Sequence, residues 1–243
     1  MWPYPKVIAH RGGGTLAPEN TIAAMQCGLD YGFHAVEFDV MLSKDGVPVL
    51  MHDPLFGRTV RGDDGVATTL AADLLQMDAG SWFSDRFAGE RVPSYEEVVR
   101  FCLAHGIWMN VEIKPVPGFE CETGTVVARV TKQLHLAGDR LPLFSSFSFE
   151  ALMSAKEEAP GIPCGFLSDQ IAPDWLDSLK ALGAVALHTN QQNLTAELAQ
   201  QIKGAGYGLL CYTVNTPERA REICDWGVDA FCTDRIDLIP FDF

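Results

Sequence analysis

Ala35-Val36-Glu37-Phe38-Asp39-Val40 alternates apolar and acidic side chains with a period of two, which is the period of a β-strand. Val36, Phe38 and Val40 share one face and suit packing beneath helices, while Glu37 and Asp39 share the other. Trp108-Met109-Asn110-Val111-Glu112-Ile113-Lys114 repeats the arrangement, with Met109, Val111 and Ile113 on the helix side. Asn110, Glu112 and Lys114 then face the opposite way. Carboxylates on the inner face of a buried strand are costly unless a cation holds them. The two segments therefore predict strands that carry chemistry at their C-terminal ends.

Outward from these two, short β-branched runs alternate with amphipathic stretches along the chain. Strands are expected at Val7–His10, Ala35–Val40, Ile107–Lys114, Pro142–Ser146, Pro163–Leu167, Ala184–His188, Gly208–Val214 and Ala230–Thr233, eight in all. Helix punctuation lies between them. Ser94 and Glu97 read as a capping box, with Val98, Phe101 and Cys102 as the buried stripe and Gly106 as the stop. Thr216-Pro217 reads as an N-cap followed by a first-turn proline, with Ala220, Ile223 and Cys224 on one face and Gly227 at the end. Thr195 opens another helix, with Leu198, Ile202 and Ala205 on one side.

Eight strands joined by crossover helices predict an α/β fold with a parallel sheet, and that number favours a closed TIM (β/α)8 barrel. The alternative open, doubly wound sheet expects a G-x-G-x-x-G turn after the first strand. Gly12-Gly13-Gly14 lacks that spacing, which disfavours a dinucleotide site. One stretch breaks the rhythm. Residues 40–92, approximately, read as a small insertion after the second strand, opening on a hairpin of Val40–Ser43 and Val47–His52 around Lys44-Asp45-Gly46. It continues through irregular, aromatic-rich sequence suited to a cap over the barrel mouth. Residues 1–243 are otherwise expected to form a single domain.

Composition narrows the function. Asp and Glu outnumber Lys and Arg by 32 to 18, so the long-range field repels nucleic acid and anionic membranes. A small anion can bind only where basic groups or a metal reverse that field. Seven scattered cysteines with no C-x-x-C pair fit neither a zinc site nor a disulfide framework and suit a reducing compartment. With no signal-like N-terminus and no membrane-length apolar run, a cytoplasmic location without membrane insertion is expected.

The inward carboxylates Glu37, Asp39 and Glu112, with no thiolate nearby, form an all-oxygen set suited to one divalent cation, Mg²⁺ or Ca²⁺. The same residues paired with Arg11 and Lys114 could equally make a buried ion cluster, and strand periodicity does not choose. His10 and His52 end the first strand and the hairpin, and two imidazoles can divide general-acid and general-base roles. Arg11 offers a forked phosphate donor and Lys114 a point charge. His188 also ends a strand, while Phe147, Trp82 and Tyr212 are candidates for an apolar wall. Metal, histidines and cations together fit phosphoryl transfer.

H-R-G at His10–Gly12, P-E-N at Pro18–Asn20, E-F-D at Glu37–Asp39, H-D at His52–Asp53 and E-I-K at Glu112–Lys114 resemble the glycerophosphodiester phosphodiesterases, above all the cytoplasmic bacterial type. D-A-G-S-W-F (Asp78–Phe83), S-F (Ser146–Phe147), Y-T-V-N (Tyr212–Asn215) and C-T-D-R (Cys232–Arg235) extend the resemblance over nearly the whole chain, in order. The resemblance implies a TIM barrel with an insertion after the second strand and a cation held by Glu37, Asp39 and Glu112. It also implies His10 and His52 as the acid–base pair, with Arg11 and Lys114 on the phosphate. The implied substrate is a small-molecule glycerophosphodiester, cleaved to sn-glycerol 3-phosphate and an alcohol such as choline or ethanolamine. The attacking oxygen would be that of water or of the glycerol 2-hydroxyl, the latter passing through a cyclic phosphate. Many relatives carry W-T-V-N where this chain has Tyr212, which bears on head-group preference. A rival reading, a barrel that binds phosphorylated glycerol without cleaving it, expects a lost histidine or acid, and none is missing.

Overall fold

The structure is a computed structural model that describes residues 2–136, Gly138 and 141–243. Nine strands occur among them: β1 (Val7–Ala9), β2 (Ala35–Leu42), β3 (Pro48–Leu50), β4 (Trp108–Ile113), β5 (Leu143–Ser146), β6 (Cys164–Ser168), β7 (Ala186–Asn190), β8 (Gly208–Tyr212) and β9 (Ala230–Thr233). All but β3 are parallel neighbours, in the order β1-β9-β8-β7-β6-β5-β4-β2. A β1–β2 pairing at Ala9 and Val36 closes the ring. The fold is thus an eight-stranded parallel barrel wrapped by helices, a TIM barrel.

Every strand expected from the sequence is present, with ends moved by a residue or two. Val36, Phe38, Val40, Met109, Val111 and Ile113 pack outward against the crossover helices in one continuous core. Ile8, Ala35, Leu210, Ala230 and Cys232 fill the barrel's interior, and Tyr4 stacks on Trp108 at 4.8 Å.

Seven crossover helices complete the wrapping: α1 (Ile22–Asp30), α3 (Tyr95–Ala104), α4 (Glu120–Gln133), α5 (Phe149–Glu158), α6 (Trp175–Leu182), α7 (Ala196–Gly204) and α8 (Pro217–Asp225). The short α2 (Ala71–Leu74) lies in the insertion. After β9 no helix follows among the described residues, and Ile236 and Ile239 seal that edge instead. Thr195 and Thr216 cap α7 and α8 as expected. Ser94 accepts from the Glu97 amide at 3.2 Å, but the reciprocal half of the capping box is not formed. On α7 the buried residues are Ala199 and Ile202, and Ala205 is exposed, because the helix ends at Gly204 before its stripe returns to the core.

The hairpin is β2 paired antiparallel with β3, Leu42 opposite Pro48, and it leads into an insertion with its own apolar centre at Met41, Val49, Met51, Val60, Val66, Leu74, Ala79 and Val92. Asp78 organises the far end of this unit. Its carboxylate accepts from the amides of Ser81, Gly80 and Gly89 at 2.7, 2.9 and 2.7 Å. Those donors hold the carboxyl well below the ordinary range. Because the folded form binds its proton less tightly than the unfolded chain, this support is present at neutral pH. It is lost as the pH falls below about 4. Asp78→Ala orphans the amides and is expected to cost about 1–3 kcal/mol of stability by urea titration. An unchanged midpoint would refute the role. Among the described residues, no helix is long and apolar enough to cross a membrane.

Candidate active site

A cavity of about 170 Å³ opens at the C-terminal end of the barrel, and ten of the eleven candidate residues line it: His10, Arg11, Glu37, Asp39, His52, Glu112, Lys114, Phe147, His188 and Tyr212. The strands explain the placement. Glu37 registers with Asn110 and Asp39 with Glu112, so β2 and β4 present their inward residues side by side. One carboxylate oxygen from each of Glu37, Asp39 and Glu112 lies within 4.8 Å of the others.

The surrounding charges treat these acids differently. Lys114 donates to Asp39 at 3.2 Å, and Asn20 donates to the same carboxylate at 2.8 Å. Burial alone would raise the Asp39 carboxyl, but Lys114 and Arg11 outweigh it and hold the group at about 2. Glu37 is pushed up to about 7 by burial and by the neighbouring Asp39 charge. Glu112 is raised well above the ordinary range, again by burial first and Asp39 second. Arg11 and Lys114 therefore do not neutralise the cluster. The ion pairs are real, yet two acids still resist ionising, which is the electrostatic signature of a place for added positive charge. Oxygen-only donors at this spacing fit a hard cation.

The P-E-N segment has a specific job. Asn20 sits at φ 59°, in the left-handed region that asparagine tolerates better than most residues. From there its side chain both donates to Asp39 and accepts from the Asp39 amide at 3.1 Å. Glu19 accepts from Arg11 at 2.8 Å and, through both oxygens, from Arg58 at 2.7 Å each.

Each histidine is held by an aspartate. His10 Nδ1 lies 2.6 Å from Asp234 Oδ1, and Asn215 donates to the other Asp234 oxygen at 2.9 Å. Burial lowers the His10 pKa, but the Asp234 hydrogen bond and the Glu37 charge outweigh it and leave it raised. His52 Nδ1 lies 2.6 Å from Asp53 Oδ1, and Arg58 Nε donates to Asp53 Oδ2 at 2.6 Å. Burial leads in lowering the His52 pKa.

Asp234, Asn215, Glu19, Asn20 and Asp53 stand in motifs quoted above but carried no role in the sequence reading, and Arg58 carried no signal. Trp82 is a correction. Its indole Nε1 donates to Ala79 O at 2.8 Å and its ring packs near Arg58, in a separate groove of the insertion. Phe147 and Tyr212 do reach the cavity and meet edge to face at 5.9 Å.

Comparison with known proteins agrees with the geometry. The profile of the glycerophosphoryl diester phosphodiesterase family matches residues 10–238. A glycerophosphodiester phosphodiesterase of Caldanaerobacter subterraneus is 33% identical over 233 residues, spanning 94% of this chain and 93% of that protein. A Bacillus subtilis protein of the same name is 28% identical over 247 residues, spanning 95% of this chain and 84% of its own. An Oleispira antarctica phosphodiesterase, solved in complex with the product sn-glycerol-3-phosphate, superposes with a TM-score of 0.92 at 38% identity, over 98% of this chain and 94% of that one. The chain belongs to the glycerophosphoryl diester phosphodiesterase family, whose members are phosphoric diester hydrolases.

Proposed function

We propose that the chain hydrolyses glycerophosphodiesters to sn-glycerol 3-phosphate and an alcohol, with His10 and His52 as the general acid–base pair. The observation that carries this reading is the pair of His–Asp dyads lining one cavity with a cluster of three carboxylates. Asp234 and Asp53 occupy the Nδ1 atoms, so proton transfer falls to Nε2 of each ring. One ring takes the proton of the attacking oxygen, from water or from the glycerol 2-hydroxyl. That oxygen bonds to phosphorus as the phosphorus–oxygen bond to the departing alcohol breaks, and the other ring protonates that alcohol. On the 2-hydroxyl route the resulting cyclic phosphate is then opened by water to sn-glycerol 3-phosphate.

Glu37, Asp39 and Glu112 would hold a single Mg²⁺ or Ca²⁺, which when bound supplies Lewis-acid charge stabilisation. Arg11 and Lys114 face the same cavity and would steady the phosphate. Phe147, Tyr212 and His188 are assigned to the remaining substrate contacts. The expected result is cleavage of glycerophosphocholine that EDTA abolishes and Mg²⁺ or Ca²⁺ restores. Cleavage at an undiminished rate in EDTA would refute the metal site, and no cleavage of any glycerophosphodiester would refute the activity.

Arg58 is assigned as a positioning residue. It reaches from the insertion to grip Asp53, which holds His52, and Glu19, which holds Arg11. Arg58→Ala is expected to lower kcat about 10- to 100-fold with a smaller change in KM, on the scale seen when groups supporting active-site ligands are lost. Lysine should rescue only part of it, since an ammonium lacks the planar fork. A variant with wild-type kcat would remove Arg58 from the network.

A further inference from the structure

Two Asn-Thr pairs repeat one arrangement on the two flanks of β1. Asn20-Thr21 stands between β1 and α1, and Asn215-Thr216 between β8 and α8. Each threonine caps its helix, Thr21 accepting from the Ala24 amide at 3.1 Å and Thr216 from the Arg219 amide at 3.4 Å. Each asparagine reaches sideways to an aspartate of the next strand along the chain. Asn20 Nδ2 donates to Asp39 Oδ2 at 2.8 Å, and its Oδ1 accepts from the Asp39 backbone N–H at 3.1 Å. Asn215 Nδ2 donates to Asp234 Oδ2 at 2.9 Å, and its Oδ1 accepts from the Asp234 backbone N–H at 2.8 Å. The reciprocal pattern fixes each amide one way round, since reversal would set donor against donor and acceptor against acceptor. Asn20 makes its contact from a left-handed backbone and Asn215 does not, so the shared feature is the clamp and not the loop shape.

We propose that Asn20 and Asn215 are matched positioning residues with separate targets. Asn20 aims Asp39 within the carboxylate cluster, and Asn215 aims Asp234 so that His10 presents Nε2 to the substrate. The inference rests on the acid–base reading above. In both clamps the asparagine holds one carboxylate oxygen and leaves the other turned to the site. Asp39 Oδ1 accepts from Lys114 at 3.2 Å, and Asp234 Oδ1 lies 2.6 Å from His10 Nδ1. A carboxylate turns about a single bond, so fixing one oxygen fixes the direction of its partner. The helices do not need the asparagines, because the threonines already cap them. β2 and β9 pair with β1 from its two sides, so the two clamps bracket His10. Asn215 touches neither substrate nor metal ligand; it acts on turnover only through Asp234 and the ring that Asp234 holds.

The test makes Asn215→Leu and Asn20→Leu, each close to asparagine in size, in the wild type and in His10→Ala. Turnover of glycerophosphocholine is read at saturating Mg²⁺, and affinity for Mg²⁺ alone by isothermal titration calorimetry. Asn215→Leu is expected to lower kcat about 10- to 100-fold with a smaller change in KM, and to leave Mg²⁺ affinity within about threefold of wild type. In His10→Ala the same substitution should cost less than about twofold more, because residues acting in series on one ring are not additive. Asn20→Leu should instead weaken Mg²⁺ binding about 10- to 100-fold, and its effect on turnover should add to that of His10→Ala. Should Asn215→Leu fail to fold by circular dichroism, Asn215→Ser, with a shorter polar side chain, reads the same quantities. Wild-type kcat in the Asn215 variant would overturn the proposal, as would a loss that adds in full to that of His10→Ala. Unchanged Mg²⁺ affinity in Asn20→Leu, or an equal fall in both variants, would overturn the division between the clamps. Full turnover in His10→Ala would sink the acid–base reading itself, and this inference with it.

Discussion

Alanine at His10 or at His52 should lower kcat/KM for glycerophosphocholine by about 1000-fold, within the range expected when a positioned acid or base is removed. Each ring stands at the rim of the cavity with partial solvent exposure, and neither belongs to the packed core. Its side chain makes one hydrogen bond, to Asp234 or to Asp53. The melting temperature should therefore move by no more than about 2–4 °C, the shift that about 1 kcal/mol produces in a domain of this size. Near wild-type turnover in either variant would remove that residue from the acid–base pair. Unfolding of the variant would instead assign it to structure. A double variant no worse than either single one is expected, since two halves of one proton relay are not additive.

The largest effect on binding is expected at the acids. Glu112→Gln removes a carboxylate whose ionisation burial and the Asp39 charge already disfavour. Without metal the variant should melt no lower than wild type, while its Mg²⁺ or Ca²⁺ affinity falls at least about 100-fold. The pH dependence follows from Glu37, whose folded pKa is pushed up to about 7, well above the ordinary carboxylate value. As pH rises from about 4.5 through 7 the unfolded chain gives up this proton first, so metal-free stability declines over that window. A bound cation replaces the protons, and it stabilises the folded form by mass action. The rise in melting temperature on adding Mg²⁺ or Ca²⁺ should therefore be larger at pH 8 than at pH 6. A rise that is equal at both, or absent, would refute the metal assignment.

Much of this site was legible because a strand's period of two converts sequence position into direction. Glu37 and Asp39 had to share a face, and the same logic put Asn110, Glu112 and Lys114 beside them. The end of the first strand placed His10 and the hairpin placed His52, whereas His188, expected at a strand end, lies in the middle of β7 because that strand runs on to Asn190. The groups that hold the histidines were harder. Asp53 is adjacent in sequence, but Asp234 lies 224 residues from His10 and comes near only when β9 docks on β1. Arg58 sits in irregular backbone, where no period says where a side chain points. Trp82 failed for the same reason: an aromatic in a loop can turn toward either the mouth or the insertion's own groove. Ala205 was misplaced because a helical stripe continues on paper past the residue where the helix stops.

The seam between β1 and β9 has a consequence for how the protein comes to life. His10 belongs to the first tenth of the chain, and the aspartate that orients it belongs to the last. A nascent chain that has folded seven strands still has an imidazole without its partner. The His10–Asp234 pair thus marks completion of the ring itself. A chain cut short before β9 lacks Asp234 and leaves His10 Nδ1 without the carboxylate that holds it in the finished ring.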